Sequence, residues 1–289
     1  RNRNWTINLA ANATWLKNKI VKLPDQNKDG IISGPYKIVE GKSRYEFFTY
    51  TFEGVDQLTG NSLYKANLED YYVTLPDGTT LGNKQSGVDI TKKATVIGGV
   101  PYVTNTTYGQ REFHGSALPT VYGSFTGTIG YKSLTLSALF TYSLGGKTMD
   151  GVYQSLMTTG TSPSNYHADI MQSWAKAPEG MDEHSPDRIR KDGIPQINST
   201  LSSDNNAVSS RWLTSADYLV VKNITLAYRL PQAWVTRMGL QAMGLNVSCE
   251  NLWTFTARQG MNPQQSFSGG QGNYLVTPRI FSVGVSVTL

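Results

Sequence analysis

Period-two alternation of apolar and polar residues is the feature that most constrains how this chain folds. In the stretch 277–289, Phe281, Val283, Val285, Val287 and Leu289 alternate with small or polar residues. Such alternation predicts a β-strand with one apolar face and one polar face. We expect a strand of this kind either to pair along both of its edges or to leave one edge open, with a row of exposed backbone donors and acceptors.

The stretch 5–15 shows the same alternation and carries a tryptophan at each end. Trp5 and Trp15 are ten residues apart and in the same phase. Ten residues of strand span ~33 Å. With a tilt of ~40° the stretch would rise ~25 Å, which is the height of the apolar band between the aromatic girdles of an outer-membrane barrel. The alternative is a soluble sandwich in which the two tryptophans cap a core.

The alternation recurs along the chain and predicts six long strands. They are expected at 5–15, 121–131, 134–142, 218–230, 240–256 and 277–289. Short turns at 132–133 and 231–239 join two pairs of them. Long connections, expected to be mostly irregular apart from short helices at 149–157 and 166–175, occupy 17–120, 144–216 and 257–276.

Short turns at one end of a meander and long loops at the other are typical of bacterial outer-membrane proteins, whose long loops are extracellular. The sequence therefore predicts an all-β fold, an antiparallel up-and-down transmembrane β-barrel. Six strands cannot close a membrane barrel, since the smallest has about eight. Residues 1–289 are accordingly expected to be the C-terminal part of a larger barrel.

One strand contains a charge in its apolar phase. Lys222 shares the phase of Tyr218, Val220 and Ile224. A lysine facing lipid at mid-depth would destabilise the fold by roughly 2–4 kcal/mol. We therefore expect a β-bulge near Lys222 that shifts the phase and turns Leu219 and Val221 outward.

Several short motifs resemble one family. They are Gly54-Val55-Asp56 with Thr59-Gly60 and Leu63-Tyr64, Thr95-Val96-Ile97-Gly98, the stretch 118–125 (LPTVYGSF), Gly145-Gly146-Lys147, the stretch 215–231 (SADYLVVKNITLAYRLP) and the stretch 251–256 (NLWTFT). In this order they resemble the SusC/RagA-like TonB-dependent outer-membrane transporters of the Bacteroidetes. The resemblance extends from about residue 45 to residue 289.

The resemblance implies a 22-stranded barrel whose plug domain and N-terminal strands are not in this sequence. It implies TonB-dependent import of a glycan or an oligopeptide across the bacterial outer membrane. The expected partners are a SusD-like lipoprotein lid, the TonB complex reached through the missing N-terminal region, and outer-membrane lipid. Whether two transporter–lipoprotein pairs form a dimer is left open. The competing interpretation is a soluble secreted all-β carbohydrate-binding module.

The sequence offers no catalytic constellation, and we expect the chain not to be an enzyme. His114, His167 and His184 lack metal-ligand spacing. A formal net charge of +5, without a basic run interleaved with aromatic residues, does not favour nucleic acid. Substrate-binding residues cannot be assigned. The loop residues that could supply contacts are Tyr108, Phe113, His114, Tyr166, Trp174 and Trp212, each of which could equally pack within its own loop.

A polar turn near the start of the chain is a candidate metal site. Asp25, Asn27 and Asp29 alternate and are followed by Gly30, as in the first half of a calcium-binding loop. Tyr36 occupies the position of the closing glutamate, so the full motif is not met. The sequence leaves two interpretations, a Ca²⁺ site and a polar turn in a surface loop.

Overall fold

The computed structural model describes residues 4–158, 165–272 and 277–289. The chain forms two compact units. The sheet unit comprises Arg1–Asn18, Ser116–Thr148 and Thr214–Leu289, and the insert unit comprises Lys19–Gly115 and Met149–Leu213. The insert unit is thus made of two separate stretches of chain.

The sheet unit contains the six long strands that the alternation predicts. They are β1 (Trp5–Trp15), β2 (Val121–Tyr131), β3 (Leu134–Leu144), β4 (Tyr218–Arg229), β5 (Ala242–Thr256) and β6 (Ile280–Thr288). Each pairs antiparallel with the next, in the order β1-β2-β3-β4-β5-β6. The prediction of an all-β, antiparallel up-and-down arrangement is confirmed.

The two short connections lie at the same end of this sheet. Lys132 adopts a left-handed conformation, with φ of 53°, in the tight turn between β2 and β3. The connection between β4 and β5 contains the short helix Gln232–Arg237, which begins directly after Pro231. Among the described residues no helix has the length and apolar content needed to cross a membrane.

The predicted bulge at Lys222 is present. The register between β3 and β4 shifts so that Leu139 pairs with Asn223 and Phe140 with Val221, leaving Lys222 outside the ladder. Leu219 and Val221 thereby come onto the same face as Ile224, as the phase argument required. The register of β4 with β5 shifts at the same place.

The prediction that 17–120 is mostly irregular is wrong. The part of this stretch in the insert unit holds short strands at Ile31–Ser33, Tyr36–Ile38, Glu46–Tyr50, Phe52–Asp56, Ser62–Lys65, Tyr71–Thr74, Thr80–Gly82, Val88–Asp89, Ala94–Ile97 and Val100–Val103. The strand Arg111–Ser116 follows, and 3-10 turns lie at Asp25–Asn27 and Thr106–Tyr108. These strands are too short to show a recognisable alternation of apolar and polar residues.

The second long connection, 144–216, holds fewer regular elements. Its helices are Gly151–Met157 and Ser202–Asn205, its 3-10 turns are Ala168–Gln172, Pro186–Arg188 and Ser210–Trp212, and its strands are Lys147–Asp150, Ile189–Arg190 and Leu213–Ser215. The helix expected at 149–157 is therefore present as Gly151–Met157. The second expected helix, at 166–175, is instead the 3-10 turn Ala168–Gln172. In the last connection a 3-10 turn at Pro263–Gln265 precedes the strand Gly270–Gln271.

The insert unit has its own hydrophobic core. Tyr64, Val73 and Val103 have no exposed surface, and Ile90 is 1% exposed. Partly buried side chains such as Phe52 pack around them. A stretch with a core of this kind is a folded unit and not a flexible loop.

Candidate functional site

One face of the six-stranded sheet is apolar from β1 to β6. The register brings apolar residues of all six strands into continuous cross-strand rows. Three such rows are Trp5/Tyr131/Leu134/Tyr228/Leu245/Val285, Ile7/Ile129/Leu136/Leu226/Val247/Val283 and Leu9/Gly127/Ala138/Ile224/Cys249/Phe281. A surface this wide and this apolar is typical of proteins that contact a membrane or another protein.

Aromatic residues lie toward both ends of the apolar face. Trp5 and Tyr131 meet at the short-turn end with ring centroids 4.6 Å apart. Trp15 lies at the opposite end and is 76% exposed. Aromatic residues at both borders of an apolar band are the arrangement that places indole and phenol rings at membrane–water interfaces.

The soluble-module interpretation requires these side chains to lie in a dry core, and this requirement is not met. Trp5 is 51% exposed, and Val283 and Val285 are 79% and 59% exposed. The exposure extends to the middle strands, where Leu136 is 45% exposed. The described residues thus leave the apolar face uncovered across the whole sheet.

The opposite face of the sheet is polar. One row across all six strands consists of Asn8/Thr128/Ser137/Thr225/Ser248/Ser282. The hydroxyl groups of Thr128 and Ser137 hydrogen-bond at 3.1 Å, and Asn12 donates to the Ser124 hydroxyl at 2.7 Å. A wall of hydroxyl and amide groups can face water, as the interior of a transport barrel does.

A polar cleft of about 630 Å³ opens at the short-turn end of the sheet. Thr135 and Asn246 line it, together with the cationic residues Lys132 and Arg229. The small residues Gly244 and Ala227 also line it. The cleft has positively charged residues in its lining.

The motif Gly54-Val55-Asp56 ends the strand Phe52–Asp56 of the insert unit, and Asp56 begins the turn that leads to Gly60. Asp56 is 1% exposed and accepts hydrogen bonds from the Leu58 N–H at 3.0 Å and the Thr59 hydroxyl at 2.8 Å. The Gly60 N–H donates to the Asp56 carbonyl at 2.7 Å. A side chain at Gly60 would collide with Trp174, since its Cβ would lie 2.3 Å from the indole ring. The motif residues are therefore required for packing.

A buried ion pair connects this turn to a distant stretch of chain. Arg188 binds Asp56 with both branches of its guanidinium, from Nε at 2.7 Å and from Nη2 at 2.8 Å. Burial alone would raise the pKa of Asp56, but the hydrogen bonds from Arg188, Leu58 and Thr59 outweigh it and lower the pKa. The hydrogen bond with Asp56 in turn raises the pKa of Arg188. The pair is charged at neutral pH.

A second charged group lies on the surface of the insert unit. Lys65 Nζ pairs with Glu112, whose pKa is lowered chiefly by that hydrogen bond. Glu53 lies nearby, and its pKa is raised because burial outweighs the attraction of Lys191 and Lys65. The fold therefore favours the charged form of Glu112 and disfavours the charged form of Glu53.

The aromatic residues proposed for substrate contact prove to be mostly packed. Trp212 is 2% exposed, and Trp174 donates from Nε1 to the Gln57 carbonyl at 2.9 Å. Tyr108 packs edge-on against Tyr71 at 5.4 Å. Tyr166 is more open, with 39% of its surface exposed.

Phe113 and His114 lie on one strand of the insert unit. The Phe113 ring contacts the Phe48 ring at 4.9 Å, and His114 Nε2 lies 3.2 Å from the Thr49 carbonyl oxygen. These contacts hold both side chains against neighbouring strands. The structure thus does not gather the six candidate residues into one binding site.

The candidate calcium ligands lie on an exposed turn. Asp25 and Asn27 belong to the 3-10 turn, and Lys28 Nζ lies 3.5 Å from Asp25 Oδ1. In the described ranges no cluster of three or more His, Cys, Asp or Glu side chains is arranged for metal binding. Neither observation tests an oxygen site that includes Asn27, so calcium at Asp25, Asn27 and Asp29 stays a prediction.

No family model matches the sequence. Two proteins of Formosa agariphila are similar to it, however. TonB-dependent receptor P3 is 25% identical over 276 residues, which cover 92% of this chain and 24% of the receptor. TonB-dependent receptor P39 is 24% identical over 302 residues, which cover 95% of this chain and 27% of the receptor. The chain thus spans about a quarter of the length of these relatives.

Solved structures share the fold. The RagAB peptide transporter matches all of this chain and 28% of its own, with a TM-score of 0.70 and 18% identity. The RagAB peptide importer in the "open-open" state matches with a TM-score of 0.64. The relatives are named as receptors and transporters, in agreement with the expectation that the chain is not an enzyme. The resemblance carried by the motifs is confirmed, since this chain is similar in sequence to part of two TonB-dependent receptors and similar in fold to part of the RagAB peptide transporter.

Proposed function

We propose that this chain forms the C-terminal part of the barrel wall of a bacterial outer-membrane importer, together with a second folded unit, the insert unit. The observation that carries the proposal is the two-faced sheet. Its apolar face is continuous over six strands and has aromatic residues toward both ends. Its other face is lined with hydroxyl and amide groups, which suits a water-filled passage.

The import would be TonB-dependent and would take up an oligopeptide or a glycan together with a SusD-like lipoprotein. Support for import comes from the receptors of Formosa agariphila, and support for an oligopeptide comes from the name of the RagAB peptide transporter. The two stretches of the insert unit, Lys19–Gly115 and Met149–Leu213, lie within the connections between β1 and β2 and between β3 and β4. The long connections of outer-membrane barrels are extracellular, where they can meet a lid.

Uptake by the native bacterium tests this function. Cells carrying and lacking the gene for the full-length protein would be supplied with radiolabelled oligopeptides and, separately, with radiolabelled glycans. We expect one of the two classes to accumulate only in cells that carry the gene, and a protonophore to abolish its accumulation. Equal uptake of both classes by the two strains, or recovery of the full-length protein in the soluble fraction, would refute the proposal.

The lipoprotein partner requires a separate test. An affinity-tagged full-length protein would be purified from outer membranes in mild detergent. We expect a lipoprotein to co-purify in a fixed ratio and to remain bound after washing with 0.5 M salt, a concentration chosen at roughly the point where exposed charge pairs are screened. Purification of the transporter without any lipoprotein would contradict this part of the proposal.

A further inference from the structure

One sheet face in the insert unit carries three aromatic rings, each with a cation above it. Lys37 Nζ lies 4.9 Å from the centre of the Phe48 ring, and Lys42 Nζ lies 4.5 Å from the centre of the Phe113 ring. The Arg111 guanidinium lies 4.5 Å from the centre of the Tyr50 ring. These six residues are called the cation-capped platform below.

The platform is built on neighbouring strands of one four-stranded sheet. The sheet contains Arg111–Ser116, Glu46–Tyr50, Tyr36–Ile38 and Ile31–Ser33 in that order. Phe48 and Tyr50 are two residues apart and so share a face. Phe113, on the adjacent strand, contacts the Phe48 ring with centroids 4.9 Å apart, so it lies on the same face.

The other face of this sheet is covered. Phe47 has no exposed surface and Thr49 is 2% exposed, whereas Phe48, Tyr50 and Phe113 are only partly buried. The platform is therefore the less buried face of the sheet, although Tyr50 also packs against Tyr64 with ring centroids 6.4 Å apart. Its cations Lys37, Lys42 and Arg111 are half-buried and keep part of their surface in solvent.

Charge on the platform is unbalanced. Glu46 shares the phase of Phe48 and Tyr50 and is the acidic residue of that strand on this face. Within the described part of the chain, Lys37, Lys42 and Arg111 form no salt bridge with a carboxylate. Arg111 instead donates from Nη2 to the Tyr50 hydroxyl at 3.3 Å. The platform thus carries the three cations Lys37, Lys42 and Arg111, with Glu46 on the same face.

We propose that the cation-capped platform binds an acidic polypeptide segment. The rings hold the cations in place, so less conformational entropy is lost when carboxylates bind them. Charge-assisted hydrogen bonds from lysine and arginine to carboxylates are stronger than neutral ones. A glycan would stack on open ring faces, and here each ring already has a cation over it. This binding goes beyond the proposed import and does not depend on it.

The test uses the purified full-length protein in detergent and a fluorescein-labelled peptide of twelve glutamates. Binding is followed by fluorescence anisotropy at low and at physiological salt, without any transport. The test variant carries Lys37→Gln, Lys42→Gln and Arg111→Gln. The control variant carries Lys84→Gln, Lys92→Gln and Lys93→Gln, which removes the same charge from exposed positions of the same unit.

We expect the platform variant to bind the peptide at least about tenfold more weakly and the control variant to change affinity less than about threefold, since only the platform contacts are direct. Equal losses in the two variants would show that net charge alone attracts the peptide and would overturn the proposal. So would absence of binding by the unchanged protein. Tighter binding of oligogalacturonate, with the same loss in the platform variant, would assign the platform to an anionic glycan instead.

A second set of variants covers the case in which the triple variant fails to fold. Lys37→Arg and Lys42→Arg keep the charge and the contact with the rings, whereas Lys37→Gln and Lys42→Gln alone each remove one charge. We expect the arginine variants to keep affinity within about threefold and each glutamine variant to weaken binding. Unchanged affinity in both single glutamine variants would overturn the proposal.

Discussion

Lys222 donates a hydrogen bond from Nζ to Asn251 Oδ1 at 2.8 Å, and this contact joins two irregularities on neighbouring strands. Asn251 has a left-handed backbone, with φ of 52°, and donates from Nδ2 to the Pro278 carbonyl at 3.1 Å. The charge that interrupts the apolar phase of β4 thereby has a polar partner. The β-bulge places the Lys222 ammonium group beside a hydrogen-bond acceptor. It also keeps the apolar residues of β4 before and after the bulge on the same face of the sheet.

We expect Asn251→Val to destabilise the sheet unit by about 2–4 kcal/mol. A β-branched residue is strained at this φ, and the substitution also removes both side-chain hydrogen bonds. Asn251→Gly is the matched control, because it removes the hydrogen bonds but tolerates the backbone conformation. Thermal unfolding of the full-length protein in detergent would measure both. Equal destabilisation by the two variants would exclude backbone strain as a contributor.

Asp56→Asn is expected to destabilise the insert unit by about 3–5 kcal/mol, because Arg188 would be left buried without its counter-charge. The exposed pair of Arg190 and Asp192, whose Nε and Oδ1 are 3.3 Å apart, provides a control. Asp192→Asn should change stability by less than about 1 kcal/mol. Limited proteolysis at increasing temperature would compare the two. Similar resistance of both variants would contradict a stabilising role for the buried pair.

The same pair predicts how stability depends on pH. The folded-state pKa of Asp56 lies below its unfolded value, so its contribution is fully present above the unfolded pKa and is lost as pH falls through the folded pKa. We expect the insert unit to lose stability below about pH 4. Asp56→Asn should show a smaller loss over that interval. Unfolding midpoints measured between pH 7 and pH 2 test this, and parallel curves for both proteins would contradict it.

Glu53 should behave in the opposite way. Its folded-state pKa lies above the unfolded value, chiefly because of burial, so its charge destabilises the fold at neutral pH and this effect disappears on acidification. We expect Glu53→Gln to raise the unfolding midpoint at pH 7 and to have no effect below the unfolded pKa. Glu69→Gln, at an exposed position, is the control. A lower midpoint for Glu53→Gln at pH 7 would show that its attraction to Lys65 and Lys191 dominates.

The two faces of the sheet can be distinguished by one pair of neighbouring substitutions. Val247 lies on the apolar face and Ser248 on the polar face of β5. If the apolar face contacts lipid, Val247→Lys should destabilise the protein by roughly 2–4 kcal/mol, and Ser248→Lys by less. Unfolding by urea in lipid vesicles would measure the difference. Equal effects would show that the two faces do not meet different solvents.

The sequence was most informative for the long strands. The bounds of β1 and β2 follow directly from the alternation, and the bulge at Lys222 follows from one charge in the wrong phase. Both are local arguments, since alternation and the energy of a charge in lipid concern residues close together in the chain. The same alternation could not predict the short strands of the insert unit, which are too brief to show a period.

The contacts within the insert unit were not predictable because they join distant residues. Asp56 meets Arg188 across 132 positions of the sequence. The motif Gly54-Val55-Asp56 was informative about family, but its spacing alone gave no indication of its partner. The platform was likewise missed, because Lys37, Lys42 and Arg111 come together only through strand pairing.

The two-part composition of the insert unit has a consequence for folding kinetics. Residues Ser116–Thr148, which include the hairpin of β2 and β3, separate its two stretches in the sequence. The hairpin makes local contacts and can form early, whereas the ion pair of Asp56 and Arg188 requires closure of a long loop. We expect strand insertion to precede completion of the insert unit during biogenesis. A newly inserted molecule would then pass through an interval in which the strands of the sheet unit are in place and the insert unit is still folding.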